Sequence, residues 1–287
     1  MSFKMPEHAG AVWKALYALI RNPYGVAGVM GNLYAESGLI ANNLQNSYSK
    51  ILGMTDAEYT KAVDTMDYLD FVTDGAGYGI AQWTYSTRKQ NLLAFARACR
   101  TSVGDLETQT VFLILELNNY SYVLKLLREA ESVKAASDAF LYHFEKPASV
   151  LNGTSGSSDK RAAYSEEFYN AFKEVVPDGK TIDFTVLKRG SKGDAVKELQ
   201  QKLDALGYDL GKDGADGVYG AQTAAVVRTF QTERGLVADG KAGAFTQCVL
   251  NIVSKEREPM YQVTIVGLTH TEALELVAKY PNAEIVN

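Results

Sequence analysis

The chain reads Gly31-Asn32-Leu33-Tyr34-Ala35-Glu36-Ser37-Gly38-Leu39 near its amino end, a pattern typical of a helix that reaches a carboxylate and ends at a glycine. The preceding apolar residues have the i, i+3, i+4, i+7 spacing of one buried helical face: Val26, Val29, Met30 and Leu33. Glu36 falls at the edge of this face. A carboxyl group placed there is partly desolvated and favours its protonated form, as a general acid for glycosidic cleavage must. The alternative is a solvated glutamate near a helix end.

Three glycines recur at every third position of the same helix: Gly25, Gly28 and Gly31. Glycine inside a helix lowers its stability, so this spacing predicts that another backbone packs closely against the helix. Residues from about 5 to 175 have a predominantly helical pattern, and Thr55-Asp56-Ala57-Glu58 is a capping box that predicts the start of one helix.

Composition narrows the range of functions. A length of 287 residues suggests two domains. The net charge of −5, without a basic run, argues against nucleic acid or an anionic membrane as a partner. No apolar run is long enough to span a membrane. The amino end lacks the apolar core of a signal peptide, so we expect synthesis in a cytoplasm without a cleaved leader.

The cysteine and histidine residues do not form a metal-binding pattern. Cys99, Cys248 and the scattered histidines His8, His143 and His270 lack the spacing of zinc ligands. A nucleophilic pair of Cys99 and His143 is formally possible, but Cys99 lies in an apolar helical pattern where a buried thiol is the default. We expect no metal and no organic cofactor.

A second motif, Gly77-Tyr78-Gly79-Ile80-Ala81-Gln82-Trp83, interrupts the helical pattern and predicts a turn or short hairpin. Its glycines allow the backbone to approach a ligand, while Tyr78 and Trp83 offer flat faces on which sugar rings stack. Gln82 supplies a donor and an acceptor for a sugar substituent. The alternative is a tight turn with core aromatic residues.

These motifs together resemble the phage tail lysozyme family, within the goose-type lysozyme and lytic transglycosylase superfamily. The resemblance covers residues 10–175 and rests on Gly31-Asn32…Glu36-Ser37-Gly38, on Gly77 to Thr84 with Arg88-Lys89, and on Glu145-Lys146-Pro147. It implies a lysozyme-like fold with a groove for the glycan strand. By the same resemblance, Glu36 protonates the oxygen between N-acetylmuramic acid and N-acetylglucosamine, and the substrate-binding residues are Ser37, Tyr78, Gly79, Gln82 and Trp83.

The second catalytic carboxylate is less defined. Asp74 lies close to the position where goose-type enzymes carry a water-activating aspartate, and Asp70 and Glu58 compete with it. If none of them activates water, the 6-hydroxyl of muramic acid attacks instead and gives an anhydro product. Arg88 either holds a carboxylate in place or starts a helix. We expect Glu145 to be structural, paired with a helix end or with Arg161.

The carboxyl-terminal part carries an internal repeat of the form D-G-x-x-G-A-x-T, at Asp216 to Thr223 and at Asp239 to Thr246. With the preceding Gly190, Gly193-Asp194 and the apolar positions Leu199, Leu203 and Leu206, the repeat is similar to the peptidoglycan-binding domain 1 family over residues 185–252. That family is a small three-helix bundle. We expect the Asp-Gly pairs to fix turns, and Asp209, Asp213 and Asp216 lack the ligand spacing of a calcium loop.

The sequence therefore predicts a mainly α protein: a lysozyme-like α+β catalytic domain (1–176), a linker (177–184), a three-helix wall-binding domain (185–255) and a β-α-β appendage (260–287). The appendage is too small to fold alone, so it packs on the rest of the chain or mediates self-association. The predicted function is that of an endolysin, a muramidase that cleaves host peptidoglycan. It reaches the wall through a membrane pore or as part of a phage tail. The alternatives are a lytic transglycosylase and a non-catalytic wall-binding or tail protein.

Overall fold

A computed structural model of the chain describes residues 3–145, 156–177, 182 and 184–255. Within these ranges the protein is mainly helical, which confirms the predicted class, and its β structure consists of isolated bridges. The β-α-β appendage predicted for residues 260–287, and with it the proposed self-association, lies outside the described residues. So do Lys146-Pro147 and most of the predicted linker.

Nine helices of the described part lie in the amino-terminal unit. They are α1 (Ala9–Ile20), α2 (Pro23–Ser37), α3 (Asn46–Leu52), α4 (Asp56–Asp64), α5 (Ser86–Cys99), α6 (Leu106–Asn119), α7 (Ser121–Arg128), α8 (Val133–Phe140) and α9 (Gly156–Phe172). A short 3₁₀ turn covers Asp70–Val72, and a π-helical turn, Leu141–Glu145, extends α8. The carboxyl-terminal unit contributes α10 (Asp194–Ala205), α11 (Ala221–Glu233) and α12 (Ala244–Lys255).

Helix α2 is the central element of the amino-terminal unit. The Asn22 side chain caps its first turn by accepting from the backbone N–H groups of Tyr24 and Gly25, and Pro23 occupies the first helical position. Gly38, with a φ of 68°, ends the helix in the left-handed conformation that glycine adopts without strain. The helix is buried from Gly25 to Leu33 among α1, α7, α8 and α9.

The glycine row of α2 is the place where three helices approach closely, and this confirms the prediction made from its spacing. A Cβ atom on Gly28 would lie 2.6 Å from the backbone between Ala136 and Ser137 of α8. A Cβ on Gly25 would meet the Leu127 carbonyl oxygen of α7, and one on Gly31 would meet Ser165 of α9. Each of the three glycines therefore allows a different helix to pack closely against α2.

The two Asp-Gly repeats of the carboxyl-terminal unit form equivalent turns, each tied to a buried glutamine. Gln200 donates from Nε2 to Asp216 Oδ1 (3.0 Å) and to Thr223 Oγ1 (3.1 Å), and its Oε1 accepts from the Gly217 N–H (2.8 Å). Gln231 makes the corresponding bonds to Asp239 (3.1 Å), Thr246 (3.2 Å) and Gly240 (2.8 Å). The repeat therefore has a structural role, because in each copy one glutamine amide makes the hydrogen bonds that fix the Asp-Gly turn.

The two units contact each other through α5, α6 and α12. The ring of Phe95 meets that of Phe245 edge to face, with centroids 5.0 Å apart. A cleft of about 1230 Å³ lies between the units, lined by residues of α1, α6, α10 and α12, and Glu36 is not among its lining residues. None of the helices in the described ranges is both long and apolar enough to cross a membrane.

Replacing Gly28 with alanine tests the close approach of α8. Because the added methyl group meets backbone that cannot rotate away, we expect Gly28→Ala to lower the free energy of unfolding by roughly 1–3 kcal/mol. Gly10→Ala is the matched control, because its Cβ would have only an ordinary contact, 3.6 Å from Phe172. The control should gain up to about 1 kcal/mol from helix propensity. Equal stability of the two variants in urea denaturation would contradict the packing described.

Candidate active site

Glu36 lies in the last turn of α2, and the following residue ties this helix end to the second motif. The Ser37 hydroxyl donates to the Ile80 carbonyl (2.9 Å) and is also within hydrogen-bonding distance of the Leu33 carbonyl (3.1 Å). Residues 77–83 form a tight turn closed by an antiparallel bridge between Tyr78 and Trp83, as predicted. The two motifs identified in the sequence are therefore adjacent in the fold.

The buried side-chain amide of Gln109 fixes the turn formed by residues 77–83. Gln109 accepts from the Ile80 N–H (2.9 Å) and donates to the Ala41 and Val103 carbonyls (2.7 Å each). Gly79, at a φ of 79°, leaves room for this side chain, since a Cβ there would lie 2.5 Å from Gln109 Oε1. The Gln82 amide donates to Asn43 Oδ1 (2.8 Å), so its donor capacity serves the turn rather than a ligand.

Tyr78 and Trp83 differ from their expected role, because both side chains are completely buried. The Tyr78 ring packs against Tyr59 and Phe71, and its hydroxyl pairs with Thr60 at 2.6 Å. The Trp83 indole donates to Glu116 at 2.8 Å. Their ring faces contact protein side chains instead of a sugar, because the turn folds inward over the core of the unit.

Exposed aromatic faces occur instead beside the π-helical turn. Tyr120, Tyr122 and Tyr142 are all exposed. The Tyr120 ring meets Phe144 edge to face at 5.3 Å, and Tyr122 meets His143 in the same way at 5.3 Å. This cluster of tyrosines therefore lies next to the turn that carries Glu145.

Arg161 of α9 joins Glu36 and Glu145 in one hydrogen-bonded network. Its Nη2 pairs with Glu36 Oε1, and its Nη1 lies 3.2 Å from Glu145 Oε2. The same Nη1 lies 3.2 Å from the Asn32 carbonyl oxygen, one turn before Glu36. The predicted pairing of Glu145 with Arg161 is confirmed, and the guanidinium also binds the candidate acid.

The two carboxyl groups differ in their exposure to solvent. The Glu36 side chain is 24% exposed, whereas that of Glu145 is 7% exposed. Burial, together with the negative charge of Glu36, raises the pKa of Glu145 well above its usual value, although Arg161 and Arg88 oppose the shift. The site therefore favours a proton on Glu145.

Arg88 holds a carboxylate, one of the two roles considered for it, and does so from the first turn of α5. Its Nε and Nη2 donate to the two oxygens of Glu116 at 2.7 Å each, a bidentate pair. Its guanidinium carbon also lies 5.0 Å from the centroid of the Phe144 ring. Arg88, held by Glu116 of α6, therefore contacts the π-helical turn from α5.

Asp74 forms a buried ion pair with Lys89. Its Oδ1 accepts from Lys89 Nζ (2.6 Å) and the Ala76 N–H (2.9 Å), and its Oδ2 accepts from the hydroxyls of Tyr59 (2.5 Å) and Tyr68 (3.1 Å). Both oxygens are thus engaged by protein donors, and the side chain is 6% exposed. The water-activating role of Asp74 stays a prediction, and this hydrogen bonding argues for a structural one.

The other candidates have simpler surroundings. Glu58 completes the capping box with Thr55, as predicted, and Asp70 is exposed at the start of the 3₁₀ turn. Cys99 is buried in α5, whereas His143 is exposed and its ring contacts that of Tyr122. Across the ranges described, no group of three or more His, Cys, Asp or Glu side chains is arranged to hold a metal ion.

Short stretches of the chain are similar to curated cell-wall proteins. It is 40% identical over 76 residues to the N-acetylmuramoyl-L-alanine amidase CwlL of Bacillus licheniformis, a match covering 26% of this chain and 21% of that protein. It is 42% identical over 97 residues to the spore cortex-lytic enzyme of Bacillus subtilis, covering 33% and 31% of the two chains. The chain thus spans less than a third of the length of either relative. No solved structure is similar enough to count as a match.

Two family models match the chain in the order that the sequence predicted. A peptidoglycan binding domain matches residues 192–250. The model described as phage tail lysozyme matches residues 7–172, a range that contains Glu36, Glu145 and Arg161. Because that range is more than half of the chain, the protein belongs to the phage tail lysozyme family.

Proposed function

We propose that the protein is a peptidoglycan hydrolase that cleaves the β-1,4 bond between N-acetylmuramic acid and N-acetylglucosamine, with Glu36 as the general acid. The observation that carries this proposal is the position of Glu36 at the partly exposed end of a buried helix, in contact with Arg161 and beside a second, buried carboxyl group. The family match supports glycan cleavage, and the peptidoglycan binding match supports the wall as the substrate.

The glycan strand would meet the exposed tyrosines rather than the 77–83 turn. Tyr120 is exposed and contacts Phe144, and Tyr142 is exposed within the same π-helical turn as Glu145. Aromatic rings stack on the apolar faces of sugars, so this surface would orient the strand across Glu36. The carboxyl-terminal unit would hold the enzyme on the wall, as in an endolysin that reaches its substrate through a membrane pore during phage lysis, or in a tail-associated enzyme.

A lytic transglycosylase is the second candidate, and the surroundings of Asp74 favour it. Inverting hydrolysis requires a carboxylate that activates water about 6.5–9.5 Å from the acid. Asp74 accepts four hydrogen bonds from protein donors and has little capacity left for a water molecule. If Asp70 and Glu58 do not activate water either, the 6-hydroxyl of the muramic acid becomes the nucleophile.

The bond that is broken can be read from the products of purified peptidoglycan. We expect mass spectrometry to find new reducing muramic acid ends, and Glu36→Gln to reduce their release by about 10²–10⁴-fold because the general acid is lost. Circular dichroism and wall pull-down should show that the variant is folded and still binds. Anhydromuramic ends would favour the transglycosylase, and free amino groups of stem peptides without new sugar ends would contradict both. Unchanged clearing by Glu36→Gln would remove Glu36 from the mechanism.

The variant Asp74→Asn separates a structural from a catalytic role. Loss of one partner leaves the buried Lys89 ammonium without its counter-ion, so we expect stability to fall by about 3–5 kcal/mol. Activity per folded molecule should change less than tenfold at a temperature below the melting transition. Asp70→Asn, an exposed carboxylate in the adjacent turn, is the control and should alter neither quantity. A hundredfold loss of turnover in folded Asp74→Asn would establish Asp74 as the base.

A further inference from the structure

Glu36 and Glu145 both contact the guanidinium of Arg161, and this contact opposes the role of Glu36 as a proton donor. A cation in direct contact with a carboxyl group favours its ionised form. Arg161 pairs with Glu36 in this structure, yet the proposed reaction requires Glu36 to carry a proton when the glycan is bound. A neighbouring group that released a proton to Glu36 and took over the guanidinium would remove this difficulty.

Glu145 has the geometry for that task. Its Oε2 lies 3.2 Å from Nη1 of the guanidinium whose Nη2 pairs with Glu36. Its Oε1 is buried and has no hydrogen-bond partner among the described residues. A buried carboxylate oxygen without a donor is costly, whereas a protonated carboxyl group tolerates the same surroundings far better.

We propose that Glu145 stores the proton that Glu36 delivers, and that Arg161 exchanges its ion pair from Glu36 to Glu145 as this proton moves. The inference rests on the proposed function and makes Glu145 a positioning residue, since it acts through Glu36 and Arg161 without touching the glycan.

The transfer balances in charge and in atoms. Before it, ionised Glu36 pairs with Arg161, and Glu145 is a neutral acid. The O–H bond of Glu145 breaks, its electron pair stays on the Glu145 carboxylate, and the proton binds a Glu36 oxygen. Arg161, whose Nη1 already contacts Glu145 Oε2, then has Glu145 as its ionised partner, so the group of three side chains remains neutral throughout. A neutral group avoids the cost of leaving an unpaired charge in a buried site. Glu36 subsequently gives the proton to the glycosidic oxygen.

The charged groups around Glu145 come from four elements. Burial is the main cause that raises the pKa of Glu145, and the charge and hydrogen bonding of Glu36 in α2 add to it, while Arg161 of α9 and Arg88 of α5 act in the opposite direction. Arg88 is itself neutralised by the bidentate pair with Glu116 of α6. The balance leaves Glu145 with a pKa well above 4.5.

Glu145→Gln is the decisive variant, because glutamine has the shape and neutrality of the protonated acid but cannot release a proton. We expect the rate of wall cleavage at pH 7 to fall at least tenfold and to recover in part as the pH is lowered, because the solvent then supplies the proton that residue 145 no longer stores. The activity optimum therefore moves to lower pH. Asp159→Asn removes a carboxylate from the exposed face of the same helix as Arg161 and should leave the pH profile unchanged.

Stability provides a readout that needs no activity. Because folding raises the pKa of Glu145, the folded protein retains a proton that the unfolded chain releases above about pH 4.5. The contribution of Glu145 to the free energy of unfolding is complete below that pH, and it is lost as the pH rises towards the pKa of Glu145 in the folded protein. Relative to Glu145→Gln, the unfolding equilibrium constant of the wild type should increase by up to about tenfold per pH unit in that window.

The outcomes are distinguishable. A Glu145→Gln profile that is the wild-type profile multiplied by a constant overturns the proposal, even if the stability difference is present. A stability difference that does not depend on pH also overturns it, since Glu145 then holds no proton. Wild-type protein that releases no wall fragments contradicts the proposed function itself.

Discussion

The contacts of Arg161 with Glu36 and Glu145 are the interaction on which the site depends, and they join three separate elements. Glu36 ends α2, Glu145 ends the π-helical turn after α8, and Arg161 lies on α9. The three can meet only if α8 and α9 lie against α2 at backbone distance. Gly28 and Gly31 allow that approach, because any side chain at these positions would overlap the neighbouring helix. The glycine row and the hydrogen-bonded network are therefore two parts of one arrangement.

The same arrangement explains why the carboxyl groups differ. The end of α2 reaches the surface at Gly38, so Glu36 remains partly exposed and accessible to a glycan. The π-helical turn is folded inward by Phe144, which packs against Phe140 and Tyr120, and this burial keeps Glu145 away from water. A pair of carboxyl groups in unlike environments, one buried and one partly exposed, is a recurring basis for acid catalysis at neutral pH. Here one arginine couples them.

Local sequence patterns predicted the features that depend on neighbouring residues. The end of α2, its glycine row, the capping box at Thr55 and the Asp-Gly turns all follow from spacing within a few residues. The burial of Tyr78 and Trp83 could not be predicted in this way, because an aromatic ring can pack in a core as well as stack on a sugar. Which of the two occurs depends on partners distant in sequence, such as Phe71 and Glu116. Likewise, the sequence position of Asp74 suggested a water-activating base, but Lys89 and two tyrosines donate hydrogen bonds to its carboxylate oxygens. Arg161 lies 125 residues from Glu36 and carries no motif, so their contact could come only from the fold.

The account is tested most directly by the protonation state of Glu145 in the wild-type protein. Carboxyl carbon NMR on protein labelled with ¹³C at glutamate, assigned with Glu145→Gln and Glu36→Gln, reports each group separately as the pH changes. Because burial and the charge of Glu36 raise the pKa of Glu145, its carbon should keep the chemical shift of a neutral acid well above pH 4.5. A carboxylate shift for Glu145 throughout the range from pH 5 to 7 would contradict the account.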